Sequence, residues 1–190
     1  MNIIRTRIED VVIIEPTIYG DDRGYFFESF SEKWFAQEVC NTHFVQDNES
    51  RSKFGVLRGL HFQKPPYAQS KLVRVVRGKV LDVAVDIRQG SPTFGQHVSV
   101  ELSGENKRQF FVPRGFAHGF VVLSEDVVFQ YKCDNYYAPQ SEGAIAFNDP
   151  SLEINWHIDE ADVILSEKDK KNPLFSKAEY LFDYHDNLYV

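Results

Sequence analysis

Cysteine is scarce in this 190-residue sequence, with only Cys40 and Cys133. They lie far apart and share no metal-binding or redox spacing, which predicts free thiols in a reducing compartment rather than a bridge. Positive charge is in deficit as well. Lys plus Arg number 21 against 28 Asp plus Glu, a formal net charge of −7. That balance excludes a surface built as a whole to attract nucleic acid or anionic lipid. No apolar run approaches a membrane span. The first sixteen residues carry short apolar patches broken by Arg5, Arg7, Glu9 and Asp10 instead of the continuous stretch of a signal peptide. These absences predict a soluble cytoplasmic protein that binds neither nucleic acid nor membrane.

What the sequence does hold is rings. Sixteen Phe and nine Tyr point to a core of strands rather than of Leu- and Ala-rich helices. No linker composition and no internal repeat interrupts the chain, so a single domain over 1–190 is expected. It divides into N-terminal strands and a short helix (1–44), a strand-rich core (45–150) and a C-terminal helix and tail (151–190). Apolar and β-branched runs separated by turn residues predict strands at 56–62, 71–77, 80–87, 96–102, 109–112, 119–123 and 127–133. Arg77-Gly78-Lys79 reads as a hairpin turn between two of them. Such spacing predicts a sandwich or closed jelly roll. Ser31 is a natural N-cap for a short helix ending near Val39. Ser166-Glu167-Lys168-Asp169 has the form of a capping box closed by Asn172-Pro173. The aromatic tail from Tyr180 to Tyr189 must dock, at a place the sequence does not specify.

Alternation along each strand places two polar groups among apolar ones. Lys71 shares a face with Val73 and Val75, and Tyr131 with Val127, Phe129 and Cys133. A buried lysine and a buried tyrosine need partners or a ligand. Taken singly, each has an ordinary structural explanation: a lysine that snorkels out, a half-buried strand tyrosine, and, for Asp169, an acid in the first turn of a helix.

The segment Gly55-Val56-Leu57-Arg58-Gly59-Leu60-His61-Phe62-Gln63 matches the first half of a metal-cupin signature, with Gln63 where the second histidine belongs. Pro113-Arg114-Gly115-Phe116-Ala117-His118 matches the second half in part, with Val122 in place of its polar residue. Tyr67 or Ala68 stands where the signature has its glutamate. Two imidazoles make a poor transition-metal site, so no metal is expected and His61 is free for acid–base work. One geometric requirement follows. Arg58 and His61 are an odd number of residues apart, and a regular strand would send them to opposite faces, so a bulge or bend at Gly59 is needed to bring both to one site.

Beyond these residues the chain resembles the dTDP-4-dehydrorhamnose 3,5-epimerase family, metal-free cupin-like sugar-nucleotide epimerases. The likeness runs from Asp21 to Asp169. It rests on Asp22-Arg23-Gly24-x-Phe26-x-Glu28, Phe44-Val45-Gln46-Asp47-Asn48, the Gly55 and Pro113 segments, Lys71-Leu72-Val73-Arg74, Ser91-Pro92-Thr93-Phe94-Gly95 and Leu165-Ser166-Glu167-Lys168-Asp169. The resemblance implies an all-β, cupin-like jelly-roll barrel with short helices near its N- and C-terminal ends. It implies an isomerase, without cofactor, that epimerises C3 and C5 of dTDP-4-dehydro-6-deoxy-D-glucose to give dTDP-4-dehydro-L-rhamnose. His61 would be the base, Asp169 its carboxylate partner, Tyr131 the acid, and Lys71 the group that stabilises the enolate. Arg23, Glu28, Gln46, Asp47, Asn48, Arg58, Lys71, His118, Glu142 and Lys168 would contact the dTDP-sugar substrate, and a homodimer would be the working unit. The nearest alternative is an enzyme of the same family acting at C3 only or on another 4-keto sugar nucleotide. More distant ones are a metal-dependent cupin and a non-catalytic sugar-nucleotide binder.

Overall fold

The computed structural model describes residues 1–179 and 182–189; Tyr180, the start of the aromatic tail, lies outside the described residues. The strands are β1 (Asn2–Arg5), β2 (Val12–Glu15), β3 (Tyr19–Asp21), β4 (Gly24–Phe26), β5 (Gln46–Lys53), β6 (Leu57–Gln63), β7 (Lys71–Arg77), β8 (Lys79–Asp86), β9 (His97–Ser103), β10 (Gln109–Val112), β11 (Phe116–Val122), β12 (Asp126–Cys133) and β13 (Glu142–Ala144), with helix α1 (Glu32–Glu38) between β4 and β5. Two antiparallel sheets face each other, in the orders β1-β2-β10-β7-β12-β5 and β13-β6-β11-β8-β9, and β3 pairs only with β4 in a separate hairpin. This is the expected all-β sandwich. Among the described residues no helix is long and apolar enough to cross a membrane.

Alternation drives the packing. Val73 and Val75 of β7, Val127 and Phe129 of β12, Ala84 of β8 and Phe120 of β11 meet between the sheets. The rings of Phe120 and Phe129 stack across the gap with centroids 4.1 Å apart. Each buried Phe or Val here contributes about 1.5–3 kcal/mol by leaving water. The outer face of the five-stranded sheet is apolar too, and the C-terminal segment covers it with Phe147, Leu152, Trp156 and Phe182. On the outer face of the other sheet, Phe35 of α1 covers Val12, Ile14, Leu72 and Phe111.

Three local expectations change. The turn at Gly78 exists, but it does not close a hairpin, because β7 and β8 belong to different sheets. Gly78 has φ +82°, and a Cβ there would lie 2.1 Å from the carbonyl oxygen of Asp126, so the chain turns a corner between layers where only glycine fits. β11 starts at Phe116, three residues before the expected 119, because Phe116, Ala117 and His118 already pair with β8. The hydrophilic run Gln46–Lys53 is a strand that its composition hides. It is the edge of its sheet, and its more buried residues Gln46, Asn48, Ser50 and Ser52 alternate with outward Asp47 and Glu49.

At the C-terminal end the capping box forms with a shorter helix than expected. Ser166 Oγ accepts from Asp169 N at 3.0 Å and donates to Asp169 Oδ2 at 2.9 Å, and the turn it opens is a 3₁₀ turn, Asp169–Lys171. Ser31 stands at the N-cap of α1 without a side-chain capping bond; its carbonyl accepts from Phe35 N instead.

Candidate active site

Towards one end of the sandwich the apolar filling gives way to a cavity of about 310 Å³. The six-stranded sheet supplies Gln46, Asn48, Lys71 and Tyr131, and the five-stranded sheet supplies His61 and Glu142 from the opposite side. Tyr137 and Gln69 line it from the connecting loops.

His61 enters because of an irregularity in β6. In the β6–β11 pairing His61 is opposite His118 and Arg58 opposite Phe120, so two residues of β6, Gly59 and Leu60, face one of β11. Gly59 has φ +123°, and a Cβ there would sit 2.6 Å from Gly119 Cα. The bulge falls where the parity of Arg58 and His61 requires it. As a result Arg58 reaches Ser52 Oγ at 3.2 Å, near enough to Tyr131 for its charge to act on the phenol.

His61 Nε2 lies 2.5 Å from Asp169 Oδ1. The imidazole keeps 37% of its side-chain surface exposed against 5% for the carboxylate. Burial pushes the Asp169 carboxyl up, but hydrogen bonds from His61, Ser166 and Asn172, together with the charge of His61, hold it below the usual carboxylate range. An ionised carboxylate can only accept, so Nε2 carries the proton and Nδ1 is the basic nitrogen of the neutral ring. Asp169 therefore serves at once as the helix-start acid expected from its capping box and as the partner of a cavity histidine.

Lys71 opens β7 and its Nζ is 5.9 Å from the centroid of the Tyr131 ring. Burial lowers its pKa, opposed by Cys133, Asp82 and Glu142. Burial raises the pKa of Tyr131, with Cys133 adding to the rise and Arg58 opposing it, so the phenol keeps its proton at neutral pH. Burial also pushes the Cys133 thiol up to about 11, leaving it an inert part of the wall.

Other residues singled out from the sequence are placed less uniformly. Glu142 lines the cavity and accepts from Tyr137 Oη at 3.1 Å and from Lys168. Gln46 donates to Asn48 Oδ1 at 2.9 Å. Asp47 points outward and pairs with Lys132 at 2.9 Å. His118 is buried, with Nε2 2.8 Å from Asp82 Oδ1; Oδ2 of Asp82 has no hydrogen-bond partner among the described residues. Arg23 is exposed on the β3–β4 hairpin, where it pairs with Asp21, and Glu28 is exposed just beyond it. Neither lines the cavity.

Gln63, the missing metal ligand, is fully engaged elsewhere. Its Nε2 donates to the carbonyls of Tyr67 at 2.7 Å and Tyr136 at 3.1 Å, and its Oε1 accepts from Ala138 N at 2.8 Å. It ties together the two loops at the cavity mouth. Sequence reasoning missed this, and it missed Tyr137, because neither a clamp between loops nor a loop tyrosine leaves a periodic signal. Among the described residues, no three His, Cys, Asp or Glu side chains are grouped to hold a metal ion. A second cavity of about 300 Å³, on the outer face of the six-stranded sheet, has its polar groups spent on one another: Arg74 on Gln130 at 2.7 Å, and Gln130 on Glu49 at 2.7 Å.

Comparison with known proteins places the chain in one family. A family model described as dTDP-4-dehydrorhamnose 3,5-epimerase matches residues 5–177. The chain is 53% identical over 181 residues to the dTDP-4-dehydrorhamnose 3,5-epimerase of Shigella flexneri, covering 95% of this chain and 99% of the relative. The solved structure of the dTDP-6-deoxy-D-glucose-3,5-epimerase of Legionella pneumophila, in complex with dTDP-4-keto-L-rhamnose, is 54% identical with a TM-score of 0.94. It matches over 97% of this chain and 99% of its own. ChmJ, a 3′-monoepimerase from Streptomyces bikiniensis solved with dTDP-quinovose, is 35% identical with a TM-score of 0.84, over 90% of this chain and 87% of its own.

Proposed function

The chain belongs to the dTDP-4-dehydrorhamnose 3,5-epimerase family, and from that premise we propose that its cavity inverts C3 and C5 of dTDP-4-dehydro-6-deoxy-D-glucose. The observation that carries the reading is the hydrogen-bonded His61–Asp169 pair on one wall of a cavity whose opposite wall bears Lys71 and Tyr131.

The C4 ketone acidifies the hydrogens on C3 and C5, and His61 Nδ1 takes one of them. Asp169 fixes the tautomer and stabilises the imidazolium that forms. The electron pair moves into the C4 oxygen, and the Lys71 ammonium faces that developing charge, a contribution of about 3 kcal/mol for one well-placed donor. Tyr131 then returns a proton to the carbon from the other side of the ring, which inverts the centre; its phenolate takes a proton from solvent and the His61 imidazolium gives one up to solvent, which restores both groups. Acid and base carried by opposing sheets suit this two-faced exchange. Repetition at the second carbon completes the product, an isomer of the substrate, so the overall step needs no oxidant or reductant.

Gln46, Asn48, Arg58, His118, Glu142 and Lys168 are the substrate contacts we assign from this chain. Arg23 and Glu28 lie on an exposed segment outside the cavity, near the exposed rings of Tyr19, Tyr25 and Phe26. We assign them to the cavity of a second copy in a homodimer, where Arg23 would meet the diphosphate. Asp47 is the assigned contact with least support, given its outward pairing with Lys132. Cytoplasmic residence follows from the sugar-nucleotide substrate and the free thiols.

Reaction in D2O tests the proposal. Deuterium at both C3 and C5 is expected, and label at C3 alone, the outcome for a monoepimerase, overturns it.

A further inference from the structure

Residues 182–189 take no part in the chemistry above, yet they pack against the sequence neighbours of two groups that carry it. Phe182 is buried, and its carbonyl accepts from Gln89 N at 3.1 Å, while Tyr184 N donates to Gln89 O at 2.9 Å. The Arg88 guanidinium lies 4.5 Å from the Phe116 ring centroid and 5.1 Å from that of Tyr184, fixed by Asp86 and Asp10. Further along, Arg114 Nη1 donates to Leu188 O at 2.7 Å and stands 5.2 Å over the Tyr189 ring.

Two further contacts end one residue away from a group of the cavity. The Phe182 ring meets the Phe62 ring edge-on at 6.1 Å, and Phe62 follows His61 on β6. The Tyr189 hydroxyl is 2.7 Å from Ser70 Oγ and accepts from Arg114 N at 3.1 Å, and Ser70 immediately precedes Lys71. Ser70 is fully buried, and its N–H donates to Asp134 Oδ1 at 2.6 Å; Asp134 in turn holds Arg114 Nε at 3.1 Å and Thr42 Oγ1 at 2.9 Å. Successive strand residues point to opposite faces, so a contact that fixes Phe62 from outside also fixes the direction of His61 inside.

We propose that residues 182–189 are a brace that sets where His61 and Lys71 stand in the cavity, with Tyr189 a positioning residue acting on Lys71 through Ser70. The inference rests on the roles given to His61 and Lys71 above. Misplacing a reacting group by a fraction of an ångström costs rate rather than substrate affinity. The brace therefore acts on kcat, not on KM.

The test uses Tyr189→Phe, which keeps the ring and removes only the hydroxyl, with Ser70→Ala and the double variant. Steady-state kinetics, solvent-deuterium exchange and thermal melting are measured on each. Tyr189→Phe is expected to lower kcat about tenfold with KM within about twofold. The double variant should be no worse than the poorer single one, because both act on one path. Wild-type protein that exchanges no solvent deuterium overturns the reading of the reaction. Wild-type exchange with unchanged kcat in Tyr189→Phe overturns the brace alone, as does a kcat loss that vanishes well below the variant's melting temperature.

Discussion

His61 Nε2 and Asp169 Oδ1 lie 2.5 Å apart although 108 residues separate them in the chain. The 3₁₀ turn at Asp169–Lys171 sets the carboxylate against the β6 histidine. One contact thereby ties a cavity histidine on β6 to the C-terminal segment.

Asp169→Asn keeps the shape of the pair and removes its charge. We expect kcat to fall about 10²- to 10⁴-fold, with dTDP binding retained, by kinetics and calorimetry. The variant also tests stability. The folded-state pKa of Asp169 is depressed, so its contribution is complete above the unfolded value near about 4 and is lost as pH falls through the lower native value. Denaturant melts should show a gap between wild type and variant at pH 7 that narrows towards pH 3.

Tyr131→Phe separates proton removal from inversion. His61 still takes and returns the proton on its own face, so deuterium from solvent should enter the substrate with retained configuration while product formation falls about 10²-fold. Proton NMR in D2O reads both. Product at the wild-type rate would remove Tyr131 from the acid role.

Gln63→His restores the residue that a metal cupin carries. No stoichiometric metal is expected by elemental analysis, because the side chain at position 63 is aimed at loop backbone of Tyr67, Tyr136 and Ala138 and His118 is engaged with Asp82, so no third ligand joins His61. Loss of the Gln63 hydrogen bonds costs about 2–3 kcal/mol at about 1 kcal/mol each, a fall in Tm of about 5–10 °C. A tightly held metal with unchanged Tm would contradict this account.

Gly59→Ala puts a Cβ 2.6 Å from Gly119 Cα and 2.7 Å from His118 O at φ +123°. Both neighbours are backbone and cannot yield. A loss of more than about 3 kcal/mol is expected, with turnover falling in whatever protein folds, because Arg58 and His61 lose their common face. Chemical denaturation and kinetics measure the two effects.

These residues show how far the sequence could be read. Period-two alternation put Lys71 with Val73 and Tyr131 with Phe129, since a strand with one apolar face encodes the direction of its side chains. The need for a bulge at Gly59 was legible from parity alone. The partner sheet of each strand was not: Arg77-Gly78-Lys79 reads as a hairpin whether the next strand pairs back or crosses to the other layer. β5 escaped notice because an edge strand facing a polar cavity needs no apolar pattern. The clamp made by Gln63 was illegible for a different reason, since its partners are backbone groups, which every residue offers alike.

The apolar and reactive positions of this barrel occupy the same strands. On β12 the inward row runs Val127, Phe129, Tyr131; on β7 it runs Val75, Val73, Lys71; on β11 it runs Phe120 and then His118. One pleat, about 7 Å, divides the half of each row that holds the sheets together from the polar residue at its end. Redesign of the reaction can therefore begin at the last residue of the β7 and β12 rows and leave their apolar part whole, whereas on β11 the exchange of His118 would strand the buried Asp82 carboxylate.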